Sequence, residues 1–79
     1  MPKKSNFISD NVSTTIGLNL RKIRDSKDLT LEEAEGLTGL AAFHIGRLER
    51  GESSANARTI VKLCRGLKVQ VNDLFKGLI

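Results

Sequence analysis

The stretch from Thr30 to Gly51 reads Thr-Leu-Glu-Glu-Ala-Glu-Gly-Leu-Thr-Gly-Leu-Ala-Ala-Phe-His-Ile-Gly-Arg-Leu-Glu-Arg-Gly, two short apolar-periodic pieces on either side of Gly39. Thr30 followed three residues later by Glu33 is a capping box, in which hydroxyl and carboxylate each satisfy an orphan backbone N–H at a helix start. The first helix therefore begins near Leu31. Gly39 can adopt a left-handed conformation without Cβ strain, so it ends that helix and redirects the chain. A second helix, about Ala42 to Arg50, follows directly.

Two helices set at a steep angle through a short turn containing Gly form a helix-turn-helix unit, whose second helix can enter the major groove of DNA. With Leu29 before it and Glu52 after it, the segment resembles the Cro and phage-repressor family, which shares the pattern L-S-Q-E-E-L-A-x-x-x-G-V-S-x-x-x-I-S-x-I-E-x-G. Leu29, Thr30, Glu32, Glu33, Gly39, Leu40, Ile45, Leu48, Glu49 and Gly51 fill its positions. The likeness continues upstream through Ile16, Gly17, Leu20, Ile23 and Arg24. Downstream it runs through Ile60, Leu63, Leu67, Val69, Leu74 and Phe75. Where the family carries Gln, Leu, Ala and Ser, this chain has Leu31, Ala34, Glu35 and Ala41.

The resemblance implies an all-α, five-helix, repressor-like DNA-binding domain acting as a sequence-specific transcriptional regulator. It also implies that Arg24 pairs with Glu49 as a structural ion pair. The helical wheel is compatible: Glu49 lies about 70° from the mean direction of Ile45 and Leu48 at 100° per residue.

A chain of 79 residues is one small domain, near the lower limit at which a single core suffices without disulfides or metal. One Cys excludes an internal disulfide, and Cys64 with His44 makes no set of metal ligands, so neither metal nor cofactor is expected. No apolar run reaches the length of a membrane span, and no signal-peptide h-region opens the chain, which fits a cytoplasmic protein. No small-molecule site is evident.

The net charge of +4 favours a polyanionic partner. Its distribution says more. Residues 1–28 carry six Lys/Arg against three acids, residues 29–52 two against five, and residues 53–79 five against one. If duplex DNA is the partner, the flanks supply most of the phosphate attraction. The other reading of these charges is ordinary solvated helix faces.

In chain order, residues 1–12 show no helical period and read as a flexible arm, with the domain over 13–79. Lys3 and Lys4 either reach along a groove or belong to an untethered tail. Helix 1 is expected after an N-cap at Ser13, running to about Lys27 with Ile16, Leu20 and Ile23 on one buried stripe. Helix 4 is expected from Ala57 to Gly66, capped by Asn56, with Ile60, Leu63, Cys64 and Leu67 inward. Val71, Leu74, Phe75 and Leu78 mark a final helix. No period-two run predicts a strand.

On the second motif helix, measured from Ile45, Phe43, Gly46 and Arg47 lie at roughly 160°, 100° and 200°, away from the core. Phe43 is either a lone surface apolar residue or a contact for thymine methyl groups, with Ala42 beside it allowing close approach. Arg47 is placed for a guanine edge or a phosphate, and His44 for a phosphate or for nothing. The resemblance adds Thr30, Leu31, Ala41 and Arg50 to the DNA surface. The polar loop after Gly51 offers Ser53 and Ser54 to phosphate oxygens, whereas Glu52 repels them.

No nucleophile and base form a set, and Glu32, Glu33 and Glu35 sit where acids favour a helix start, so an enzyme is not expected. A single recognition helix reads few base pairs, which predicts a homodimer on an inverted repeat, with Phe75, Leu78 and Ile79 at the interface. Alternatively these residues complete the monomer core. The rival function, motivated by Leu31, Glu35, Ala41 and Glu52, is a protein-interaction module, antitoxin-like or other, with the fold kept and base reading lost.

Overall fold

Residues 11–78, the part that the computed structural model describes, form five helices and no strand. They are α1 (Asn11–Ser26), α2 (Leu31–Thr38), α3 (Ala42–Glu49), α4 (Ala57–Leu67) and α5 (Val71–Phe75). α1 packs on α3 and α5, and α2 packs on α3 and α4. Between them lies one core of Leu20, Ala34, Ile45, Leu48, Ile60, Leu63, Leu67 and Leu74. Ile16 is also buried. Cys64 is half-buried against this core, and burial pushes its thiol pKa up from the ordinary value, with Asp73 adding to the rise.

Local chemistry sets most of the boundaries. Thr30 Oγ1 accepts from the Glu33 amide at 3.0 Å, and Glu33 Oε1 accepts from the Thr30 amide at 2.8 Å, completing the capping box of α2. Gly39, at φ 81°, turns its N–H back to the Glu35 carbonyl at 2.9 Å and ends that helix. Thr38 secures the turn: its hydroxyl donates to Ala34 O at 2.8 Å and accepts from Leu40 N at 3.1 Å. Asn56 Oδ1 accepts from Thr59 N at 2.9 Å and starts α4.

Five expectations need correction. α1 begins at Asn11, so Ser13 is not its cap; it lies in the first turn, buried, with its hydroxyl 3.4 Å from that of Ser54. Of the segment read as an arm, Asn11 and Val12 are helical, and residues 1–10 lie outside the described residues. Gly66 does not end α4. It sits inside that helix, where a Cβ would come within 2.6 Å of Leu37 O and 2.7 Å of Thr38 Cα, so the missing side chain lets α4 close on α2. The cap falls instead to Lys68, at φ 59° and ψ 50°.

Gly46 is buried rather than outward, since a Cβ there would lie 3.6 Å from Leu31 Cδ1 and 3.2 Å from Arg50 Nη1. The neighbouring helix α2 covers a sector that the wheel of α3 alone leaves open. At the C-terminus, Leu74 is fully buried but Val71 is exposed, while Phe75 is half-buried against the core. The final helix ends at Phe75, before Gly77 at φ 93°, so Leu78 lies beyond it. Ile79 lies outside the described residues.

Candidate nucleic-acid interface

α3 owes its orientation to contacts on its inner face. Ile45 and Leu48 are buried at 0% and 2% exposure. Gly17 of α1 lies directly beneath the C-terminal end of α3, where any Cβ would overlap the carbonyl groups of Leu48 and Glu49. Beside this contact Arg24 Nε and Nη2 donate to Glu49 Oε2 and Oε1 at 2.6 and 2.9 Å, and Arg24 Nη1 donates to Leu29 O at 2.7 Å. Both side chains are nearly buried, at 12% and 5% exposure. The hydrogen bond to Glu49 raises the Arg24 pKa and outweighs the opposing effect of burial. A bidentate pair of this kind fixes direction as well as distance, so it locks α3 against α1.

The outer face of α3 is open. Phe43 is 74% exposed, and one helical turn on, Arg47 Cζ stands 6.0 Å from the centre of its ring. Arg47 is exposed, Ala41 is exposed, and Ala42 and His44 are half-exposed. At 6.0 Å the guanidinium is at the outer limit of cation–π contact, and its Nη2 also donates a long hydrogen bond, 3.5 Å, to the Glu52 carbonyl.

The remaining residues assigned to this surface divide. Thr30 and Ser54 are exposed and Ser53 is half-buried. Leu31 is packed partly against the core, so its stem serves the α2–α3 contact before it serves any ligand. Arg50 is exposed but tied to Glu52, Nε to Oε2 at 3.1 Å and Nη2 to Oε1 at 3.3 Å. That bond holds the Glu52 carboxyl below its ordinary pKa. Glu52 thus occupies a cation that would otherwise face an anionic partner.

Sequence reasoning missed a residue here. Glu35 Oε1 of α2 accepts a hydrogen bond from the Ala42 amide at 2.9 Å, at the first turn of α3. The available signal was an alanine at an N-cap position with an acid six residues before it. No group of three or more His, Cys, Asp or Glu that could hold a metal occurs among the described residues, and no helix there is long and apolar enough to cross a membrane.

A capped helix, a glycine turn and a second helix with a buried inner face and an exposed aromatic and cation outside define a helix-turn-helix DNA-binding domain of the repressor type. A family model described as helix-turn-helix (HTH_3) matches residues 20–74. The chain belongs to this family, whose members are DNA-binding transcriptional regulators.

An uncharacterized HTH-type transcriptional regulator, y4dJ, of Sinorhizobium fredii strain NGR234 is 32% identical over 59 residues, 75% of this chain and 77% of that protein. Among solved structures, the restriction-modification controller protein C.AhdI of Aeromonas hydrophila is similar at 32% identity and TM-score 0.76, over 80% of this chain and 96% of that one. An HTH_3 family transcriptional regulator from Vibrio cholerae is similar at 33% identity and TM-score 0.79, over 81% of this chain but only 36% of that one.

Proposed function

We propose that this protein regulates transcription in the cytoplasm as a symmetric homodimer on an inverted-repeat operator, with α3 of each copy in the major groove. The observation that carries the reading is the Phe43–Arg47 pair on the open face of a helix whose other face is locked in place. Phe43 is 74% exposed, a poor arrangement in water alone, and it offers an apolar surface to thymine methyl groups. Arg47 can donate to guanine O6 and N7 or to phosphate. Thr30, Ser53 and Ser54 supply hydroxyls for phosphate oxygens at the edges, and His44 and Ala42 flank the groove contact. One α3 reads only a few base pairs, so useful specificity requires two, on half-sites about 34 Å apart.

Two exposed acids at this face, Glu35 against the Ala42 amide and Glu52 against Arg50, favour a second reading, a protein-interaction module that retains the fold without base reading. Selection of bound fragments from random duplex DNA separates the two. Recovery of an inverted repeat supports the operator reading. Retention of no enriched sequence supports the interaction module.

A further inference from the structure

α3 lacks a cap of its own. Ala41 occupies its N-cap position and makes no side-chain hydrogen bond. Alanine cannot do so, and Ala is among the poorest residues at that position because the first amides of a helix have no intrahelical acceptor. α2 and α4 are instead capped by Thr30 and Asn56, the residue types that suit the task. At α3 the acceptor comes from elsewhere: Glu35 Oε1, on the preceding helix, lies 2.9 Å from the Ala42 nitrogen.

We propose that Glu35 is the cap of α3, supplied across the turn from α2, and that its charge screens the amide end of α3 from phosphate. Glu35 and Ala41 are two of the departures from the repressor pattern noted above. Physically they are one exchange, in which a hydroxyl expected on residue 41 gives way to a carboxylate on residue 35. The exchange is not neutral for the rest of the molecule. A hydroxyl on residue 41 would cap α3 from its own chain end, whereas Glu35 ties α3 to α2 across Gly39, bracing the turn from a second side. It also places a full negative charge where a helix N-terminus would otherwise attract an anion. Glu35 is therefore a positioning residue for α3, and it lowers affinity for any polyanion approaching that end. The charge half of this proposal rests on the DNA reading; the capping half does not.

The test uses the full chain with Glu35→Ala and Glu35→Gln. Alanine is the better helix former, so any loss in Glu35→Ala cannot come from the propensity of α2. Loss of a cap in a domain of this size should lower Tm by roughly 4–8 °C. In proton–nitrogen spectra of Glu35→Ala the Ala42 amide should move upfield and exchange faster. The Glu33 amide, held by Thr30, serves as the internal control and should not move. Glu35→Gln keeps an acceptor oxygen and should restore most of both effects. A Glu35→Ala protein that melts with the wild type, or an Ala42 amide that does not respond, overturns the cap.

For the charge, binding to duplex recovered by selection is measured below all melting points. Glu35→Gln should bind about two- to five-fold more tightly than wild type, with the gain shrinking as salt rises. Equal or weaker binding by Glu35→Gln overturns that half. A wild type that retains no duplex sinks the DNA reading and the charge half together, while the melting and amide data still decide the cap.

Discussion

Arg24 on α1 grips Glu49 at the end of α3 through two hydrogen bonds of 2.6 and 2.9 Å, with both side chains nearly out of solvent. Burial makes this contact costly to break on one side only. Glu49→Gln leaves the guanidinium with only the exposed Asp25 carboxylate, 3.9 Å away, as counter-charge, so urea melts should show a loss on the order of 3–5 kcal/mol. That is a large part of the stability of a small domain. Arg24→Met combined with Glu49→Leu removes both charges and should recover much of the loss. A Glu49→Gln midpoint equal to that of the wild type would show that the pair contributes orientation without net stability.

The glycines at helix crossings are a second kind of lock. Gly17 lies against the α3 carbonyl groups and Gly66 against the backbone of Leu37 and Thr38, so an added methyl meets main chain that cannot rotate away. Gly17→Ala and Gly66→Ala should each cost about 1–3 kcal/mol or more. Gly36→Ala is the control. A Cβ there meets nothing within 4 Å, and the change should stabilise by roughly 0.5–1 kcal/mol. Thermal melts that rank the three variants otherwise would contradict the close approach at Gly17 and Gly66.

Lys68 offers a stabilising change. It caps α4 at φ 59°, a conformation that strains residues with a Cβ by roughly 1–2 kcal/mol. Lys68→Gly should raise stability by about 0.5–1 kcal/mol, the relief being offset in part by the greater freedom of unfolded glycine. Asp28, at φ 56°, should gain less from the same change because Asp tolerates this region better. A Lys68→Gly melt at or below that of the wild type would mean the strain is absent.

These two sets of positions separate what was legible in the sequence from what was not. Thr30, Glu33, Gly39 and Asn56 were readable because a cap is a contact within four residues. The inward faces of α1 and α4 were readable because Ile16 and Leu20, and Ile60, Leu63 and Leu67, keep a helical period. Burial of Ser13 and Gly46, the packing role of Gly66 and the reach of Glu35 to Ala42 were not readable. Each is decided by a different helix or loop brought alongside by the fold, and no local period encodes it. Phe43 and Arg47 are the intermediate case. The wheel gives their direction, but their purpose depends on the ligand.

Arg47→Ala discriminates the modes of contact at that surface. If Arg47 is bidentate to guanine, its loss should cost about 1–3 kcal/mol and relax preference at one position in each half-site. If it touches phosphate only, affinity should fall uniformly and the salt dependence should flatten by about one ion. Binding measured against a set of single-base operator variants at several salt concentrations reads both. Unchanged affinity throughout would remove Arg47 from the interface.

The dimer is tested at the C-terminal end of the chain. Val71 is 49% exposed, and Phe75 and Leu78 are each only half-buried, an apolar strip that the monomer core covers in part. Phe75 also packs on that core, so it is a poor probe of association. Leu78 lies beyond α5, and Val71 faces out from its first turn, so a charge at either should spare the fold. Sedimentation equilibrium at micromolar concentration should show a dimer for the wild type and a shift to monomer for Leu78→Asp and Val71→Asp, with melting of the isolated monomer little changed. The same variants should bind a single half-site normally and the inverted repeat weakly, because two linked half-sites gain avidity only when the copies stay joined. A wild type that remains monomeric, or variants whose dimer constant matches its own, would move the interface to another face of the domain.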